Sequence, residues 1–345
     1  LQHPPNYQFK IVVLSPMRIG LTYDLRDRYL ELGFTAEEAA EFDYPETIDA
    51  IQEALECHDW QVDRVGNLED LAGRLLQGDR WDLVFNMAEG MHGIGREAQI
   101  PALLDAWRIP YTFSDALTCA LTLHKVMAKR VLRDHGLPTP PFAIVAEQAD
   151  IGQVDLPFPL MVKPLQEGNS KGVSPESKVD SPAALEARCR HVITRFAQPA
   201  LVETFLSGRE FTVGILGTGP DARPVGVLEK LLGDEPVYFK YATGFPGVLV
   251  DDPEARLAGR LALAAWNALG CRDGGRIDIR SDAMGNPYIL EANALPGLRP
   301  HNSDLPVMCE LAGIPFRELI GRIVRSALAR NQAPVSWLPG IGQVD

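Results

Sequence analysis

The run Gly136-Leu137-Pro138-Thr139-Pro140-Pro141 constrains this chain most. Glycine ends a helix, and prolines placed just beyond it cannot extend one, so the run is a strong stop and a candidate domain boundary. On the N-terminal side, Phe9–Leu14 and Trp81–Phe85 read as buried strands, and Ile48, Ile51 and Leu55 give residues 45–57 a helical face. Residues 97–107 and 117–135 read as further helices, while residues 18–44 read as a long connection with an acidic middle. On the C-terminal side, strands are expected at 159–164, 200–205, 211–216 and 224–231, helices at 182–196 and 252–269, and a hairpin over 275–291 turning at Asp282–Asn286. The order is α/β first and α+β afterwards.

At 345 residues the chain exceeds one ordinary core and fits two or three modules, which makes an interdomain cleft the expected place for a site. A net charge of -13 argues against a nucleic-acid partner, because phosphate backbones need clustered Lys and Arg. Five scattered cysteines without a CxxC pair indicate neither a disulfide framework nor a zinc site, and so a reducing, cytoplasmic setting. No apolar run reaches the roughly 20 residues of a membrane span, and no secretory signal pattern opens the chain.

The hairpin carries the clearest chemistry. Alternate residues on a strand share a face, so Asp278 on one arm and Glu291 and Asn293 on the other should converge. Two carboxylates and an amide oxygen, completed by phosphate oxygens, suit Mg²⁺. Arg276 shares the Asp278 face and can meet a phosphate or an oxyanion; the plainer alternative is a surface hairpin with salt-bridged edges. Lys163 at the end of a strand runs into the polar loop 165–172, where glycines let backbone N–H groups close on phosphate. Glu89 can bind an amine or satisfy backbone N–H groups, and Trp107 and Trp266 read as core.

Gly168-Asn169-Ser170-Lys171-Gly172 also fits the GxSxG pattern of serine hydrolases, with Ser170 as nucleophile. An elbow of that kind needs a helix directly after the serine, and Val173 and Pro175 oppose one. Ser170 reads better as a loop hydroxyl near phosphate.

Taken in order, Lys125, Val162-Lys163-Pro164, the Gly/Ser loop, Val202 to Glu210, Lys240-Tyr241, Arg276-Ile277-Asp278 and Glu291 to Gly297 resemble the D-alanine:D-alanine ligase branch of the ATP-grasp superfamily. The resemblance spans about residues 81–328. It implies an ATP-grasp fold: an N-terminal parallel α/β domain (1–123), a central lobe (124–206) and a C-terminal lobe (207–333), the two lobes enclosing ATP, then a tail (334–345). It further implies an ADP-forming ligase that activates a carboxylate as an acyl phosphate and joins it to an amine. Lys125, Lys163, Ser170 and Lys240 would meet phosphates, Glu203, Thr204, Phe205 and Leu206 adenine, and Glu210 the ribose. Asp278, Glu291 and Asn293 would hold two Mg²⁺ ions, a role Mn²⁺ can also fill. Arg276 and the Gly297 backbone would face the tetrahedral intermediate, and residues 166–172 and 238–250 would close as lids.

For the two amino-acid-like substrates, the resemblance places Glu46, Asn169 and Tyr241 around the first, framed by His92 and Glu97 of the HGxxGE-like segment 92–97. His301, Asn302 and Ser303 fall where the second substrate is held. Two departures stand out. Ser15 to Ile19 replaces the Gly/Ser-rich opening of the family, and Leu298 to Asp304 is longer than the usual segment and different from it. D-alanine-D-alanine ligase is the leading expectation, and ligation of other amino acids the alternative. The resemblance also implies a homodimer formed through the N-terminal domain.

Overall fold

The computed structural model describes residues 16–168, 171–231 and 247–332. The first module is built on a parallel sheet of β1 (Arg18–Thr22), β2 (Gln61–Gly66) and β3 (Leu83–Asn86) in the order β2-β1-β3. Around it lie α1 (Arg26–Glu31), α2 (Pro45–Glu56), α3 (Leu68–Leu76), α4 (Gln99–Trp107) and α5 (Ala116–Leu123), followed by α6 (Lys125–Asp134). The strand at the centre of this sheet lies inside the segment expected to be a connection. Arg18 to Thr22 has only Ile19 and Leu21 as large apolar residues, too few to stand out by pattern, yet it is paired on both edges and buried. The strand expected at Phe9–Leu14 lies outside the described residues.

A four-stranded antiparallel sheet follows, β4 (Phe142–Val145), β5 (Leu160–Pro164), β6 (Lys178–Val179) and β7 (Ala200–Thr204), in the order β4-β7-β5-β6 and backed by α7 (Pro182–Phe196). The third sheet, β10-β9-β8-β11-β12, contains β8 (Glu210–Leu216), β9 (Arg223–Lys230), β10 (Gly247–Leu249), β11 (Gly274–Ser281) and β12 (Pro287–Asn293). It packs on α8 (Pro253–Ala268). That helix is capped by the Asp252 side chain and presents Ala255, Ala258, Ala262, Ala265 and Trp266 to the sheet. The small face permits close approach: a Cβ on Gly275 would lie 2.7 Å from the Trp266 ring and 2.5 Å from the Asn293 carbonyl.

The chain ends with α9 (Asp304–Leu311) and α10 (Phe316–Gln332). Helix α10 returns to the first module, where Leu319, Ile320 and Ile323 pack with Ile48, Ile51 and Leu55 of α2, all buried. Each such side chain contributes about 1.5–3 kcal/mol. The buried Asp273 binds the same two parts together, accepting from the Phe113 amide at 2.8 Å and pairing with Arg330 at 3.1 Å.

Residues 117–135 are two helices and not one. His124 leaves helical geometry at ψ 87° and its ring accepts from the Met127 amide, capping α6. Lys125 thereby becomes a first-turn residue. Among the described residues no helix is long and apolar enough to cross a membrane.

Candidate active site

The β11–β12 hairpin pairs Asp278 with Glu291 and Arg276 with Asn293 across its ladder, so the four functional groups share one face. Asp278 accepts from Thr212 Oγ1 at 2.8 Å and from Asn293 Nδ2 at 3.2 Å. Lys125 Nζ lies 3.2 Å from Glu291 and donates to the Glu167 carbonyl at 2.6 Å, tying α6 to the loop after β5. Burial alone would raise the Glu291 carboxyl; Lys125, Lys163 and Arg276 outweigh it and hold the group well below the usual range. Among the described residues no cluster of three or more His, Cys, Asp or Glu could hold a metal by itself. Two carboxylates and an amide, all hard oxygen donors, nevertheless fit a cation whose remaining ligands are phosphate oxygens.

On β7 of the four-stranded sheet, Glu203 is gripped by Lys129 at 2.7 Å and Lys163 at 2.8 Å. Burial pushes Glu203 up, but the two ammonium groups prevail and hold it at about 2. Lys129 escaped the sequence reading. It follows Lys125 by one helical turn, and that i, i+4 spacing was the signal available. Next along the chain, the Thr204 hydroxyl is buried without a hydrogen-bond partner among the described residues, a polar atom waiting for a ligand. Leu206 is buried, while the Phe205 ring lies between Lys178, at 4.5 Å, and Arg280, at 5.3 Å. Glu210 pairs with Arg280 at 3.3 Å.

Facing these groups across the first module is an acidic recess. Glu41 accepts from Arg96 at 2.9 Å and from the Gly168 amide at 2.8 Å, and Arg96 also reaches the Gln166 carbonyl at 3.3 Å. These bonds hold the loop after β5 against the segment between α1 and α2. Asp43, Glu89 and Glu97 stand nearby. Burial pushes Glu97 up to about 7, partly offset by Arg96. Asp43 is likewise at about 7 through burial and the Asp24 charge, and Glu89 is raised through burial and the charges of Glu41, Glu97 and Asp43.

The residues expected around the first substrate are only partly gathered here. Glu97 belongs to the recess, whereas Glu46 is exposed in the first turn of α2 and His92 is exposed. Glu41, five residues earlier than Glu46, is the glutamate that meets the loop beside position 169. The sequence reading missed it because the helix begins at Pro45 and the loop before it has no periodicity. Asn169, Ser170, Lys240 and Tyr241 lie outside the described residues, as does most of the expected lid 238–250. The helix that a serine elbow would need begins only at Pro182.

At the far side of the hairpin, a Cβ on Gly297 would lie 3.0 Å from Ser303 Oγ, which itself accepts from the Arg299 amide at 3.1 Å. His301 adopts a positive φ of 57°, is exposed and pairs with Glu310 at 2.8 Å. Asn302 is exposed as well. The charged group that this segment brings to Arg276 is Asp304, at 3.3 Å, with Lys230 at 3.2 Å on its other side.

The family model described as D-ala D-ala ligase C-terminus matches residues 131–325. A D-alanine--D-alanine ligase of Marinobacter nauticus is 37% identical over 287 residues, covering 78% of this chain and 82% of that protein. One from Bordetella petrii is 34% identical over 268 residues, covering 74% and 78%. An uncharacterised protein of Sinorhizobium fredii is 36% identical over 258 residues, covering 72% and 75%. In fold, the chain is similar to the crystal structure of a D-alanine--D-alanine ligase from Bacillus anthracis complexed with ATP, with a TM-score of 0.71, 21% identity, and coverage of 92% of this chain and 99% of that one.

Proposed function

This chain belongs to the D-alanine--D-alanine ligase family of ATP-dependent, ADP-forming carbon–nitrogen ligases, and from that premise we propose that it activates an amino acid as its acyl phosphate and joins it to an amine. The observation that carries this reading is the Lys125–Glu291 pair beside Asp278, with Lys163 and Lys129 gripping Glu203 on the four-stranded sheet. Cations for phosphate stand on α6 and β5, and carboxylates for a metal on the β11–β12 hairpin. The division into residues 1–123, 124–206 and 207–333 follows the three sheets and is part of the same proposal.

Lys125 and Lys163 take the phosphates, and Thr204, Phe205 and Leu206 receive the adenine next to Glu203. Asp278, Glu291 and Asn293 would hold Mg²⁺, which would supply positive charge against the phosphates. The donor ammonium enters the recess of Glu41, Glu89 and Glu97, leaving its carboxylate toward the γ-phosphate. Positioning and charge neutralisation supply most of the rate for such a transfer. Carboxylate oxygen bonds to phosphorus and ADP departs. The acceptor nitrogen then bonds to the acyl carbon and phosphate departs, the ammonium having lost its proton to solvent. Arg276 and the Gly297 amide face the developing oxyanion.

D-alanine is the first donor to test, since the relatives are named for it. Purified protein with Mg-ATP, candidate donors and hydroxylamine should yield a hydroxamate and ADP. Failure with every D- and L-amino acid would refute the acyl phosphate.

A further inference from the structure

Asp304 has no place in the steps above, yet it is buried in the middle of the site. Its carboxylate lies between Lys230 Nζ of β9, at 3.2 Å, and Arg276 Nε of β11, at 3.3 Å. Arg276 is also 3.6 Å from Asp278. The guanidinium therefore has protein carboxylates on two sides, one toward the metal-binding end of the hairpin and one toward Gly297 and Ser303. Asp304 is, moreover, the first residue of α9, where the helix dipole favours a fixed negative charge. It is built in rather than adventitiously close.

Resting on the ligase reading, we propose that Asp304 determines acceptor specificity: it fills the anion seat beside Arg276, so that the amine acceptor is one that carries no carboxylate there. Lys230 and Arg276 both pair with Asp304, and Arg276 also lies against Asp278, so the positive charge at this point is already met by protein carboxylates. A carboxylate that bonds Arg276 would stand within a guanidinium's width of Asp304, and like charges at such separation oppose each other in a partly dehydrated site. A neutral or cationic group at the same point, such as a carboxamide or a second amine, meets no such penalty and can donate a hydrogen bond to Asp304. The preferred acceptor is thus an amine or an amidated amino acid, and a free α-amino acid is disfavoured.

The test has two stages. Hydroxylamine, a small neutral acceptor, first identifies the donor through ATP-dependent hydroxamate formation. With that donor, kcat/KM is compared for matched acceptors, alanine against alaninamide and glycine against glycinamide, in both enantiomers where they exist. The amides have no carboxylate and cannot act as donors. The wild-type protein should favour the amide by about tenfold or more, what is left of a like-charge contact once Lys230 and Arg276 offset most of it. Asp304→Asn should shift that ratio about tenfold toward the free acid by releasing Arg276 and Lys230. Lys230→Met, which leaves Asp304 less neutralised, should shift it the other way and covers the case in which the Asp304 variant does not fold. Comparing ratios between variants removes the different basicities of the two acceptors. Equal use of acid and amide by the wild type, or a ratio that neither variant moves, would overturn the role of Asp304 and leave the ligase reading intact. No hydroxamate from any donor would overturn the ligase reading and the inference together.

Discussion

Replacing Glu203 by glutamine keeps the volume and removes the charge from a site where Lys129 and Lys163 exposes only 1% and 12% of their side chains. The fall of the Glu203 carboxyl from 4.5 to about 2 corresponds to about 3 kcal/mol of net stabilisation at neutral pH. Breaking a buried pair by deleting one partner costs about 3–5 kcal/mol, so the two routes agree. Lys129, whose pKa burial already lowers, can shed its proton and limit the loss. Urea unfolding at pH 7 should therefore show the variant about 3 kcal/mol less stable with an unchanged m-value. Because the folded-state pKa is depressed, the contribution is complete above 4.5 and is lost as pH falls toward 2. The gap between the two proteins should shrink by about 1 kcal/mol by pH 3.5. A gap below about 1 kcal/mol at pH 7, or one independent of pH, would refute the account of this triad.

Glu291→Ala should lower turnover by about a hundredfold or more, and a variant that keeps both the wild-type rate and the wild-type Mg²⁺ dependence would exclude the residue as a metal ligand. Glu41→Gln should raise the donor KM by about tenfold whereas Glu46→Gln leaves it alone, since it is Glu41 and not the exposed Glu46 that accepts from the Gly168 amide; equal effects would return the role to the helix start. The raised carboxyl of Glu97 must ionise to hold an ammonium, so donor kcat/KM should climb as pH passes about 7, and Glu97→Gln should flatten that limb. Gly275→Ala should destabilise the protein by about 1–3 kcal/mol, because its Cβ would meet the Asn293 carbonyl and the Trp266 ring; a neutral result in thermal unfolding would mean that α8 can back away.

The parts of the molecule legible in the sequence are those with strong local rules. Pro182–Phe196 and the 274–293 hairpin have caps, periodicity or turn chemistry, and both fall where expected. Asp278 and Glu291 could be placed on one face because strand alternation is rigid. What escaped depends on tertiary contacts. Strand β1 is short and gains its identity from pairing on both edges. Glu41 and Asp304 lie in segments without a repeat, and what makes each notable is a partner far away in sequence, Arg96 and Gly168 for the first and Lys230 and Arg276 for the second. Lys129 was hidden by the apparent continuity of 117–135, which His124 breaks by capping α6.

The central claim is that the chain spends ATP to activate a carboxylate. Nucleotide release from purified protein with Mg-ATP, measured across single and paired D- and L-amino acids and amines with mass spectrometry of the products, tests it most directly. The account predicts ADP and phosphate in equal amounts with an amide product, and only when a donor is present. AMP and pyrophosphate as the products, or no nucleotide turnover with any donor, would contradict it.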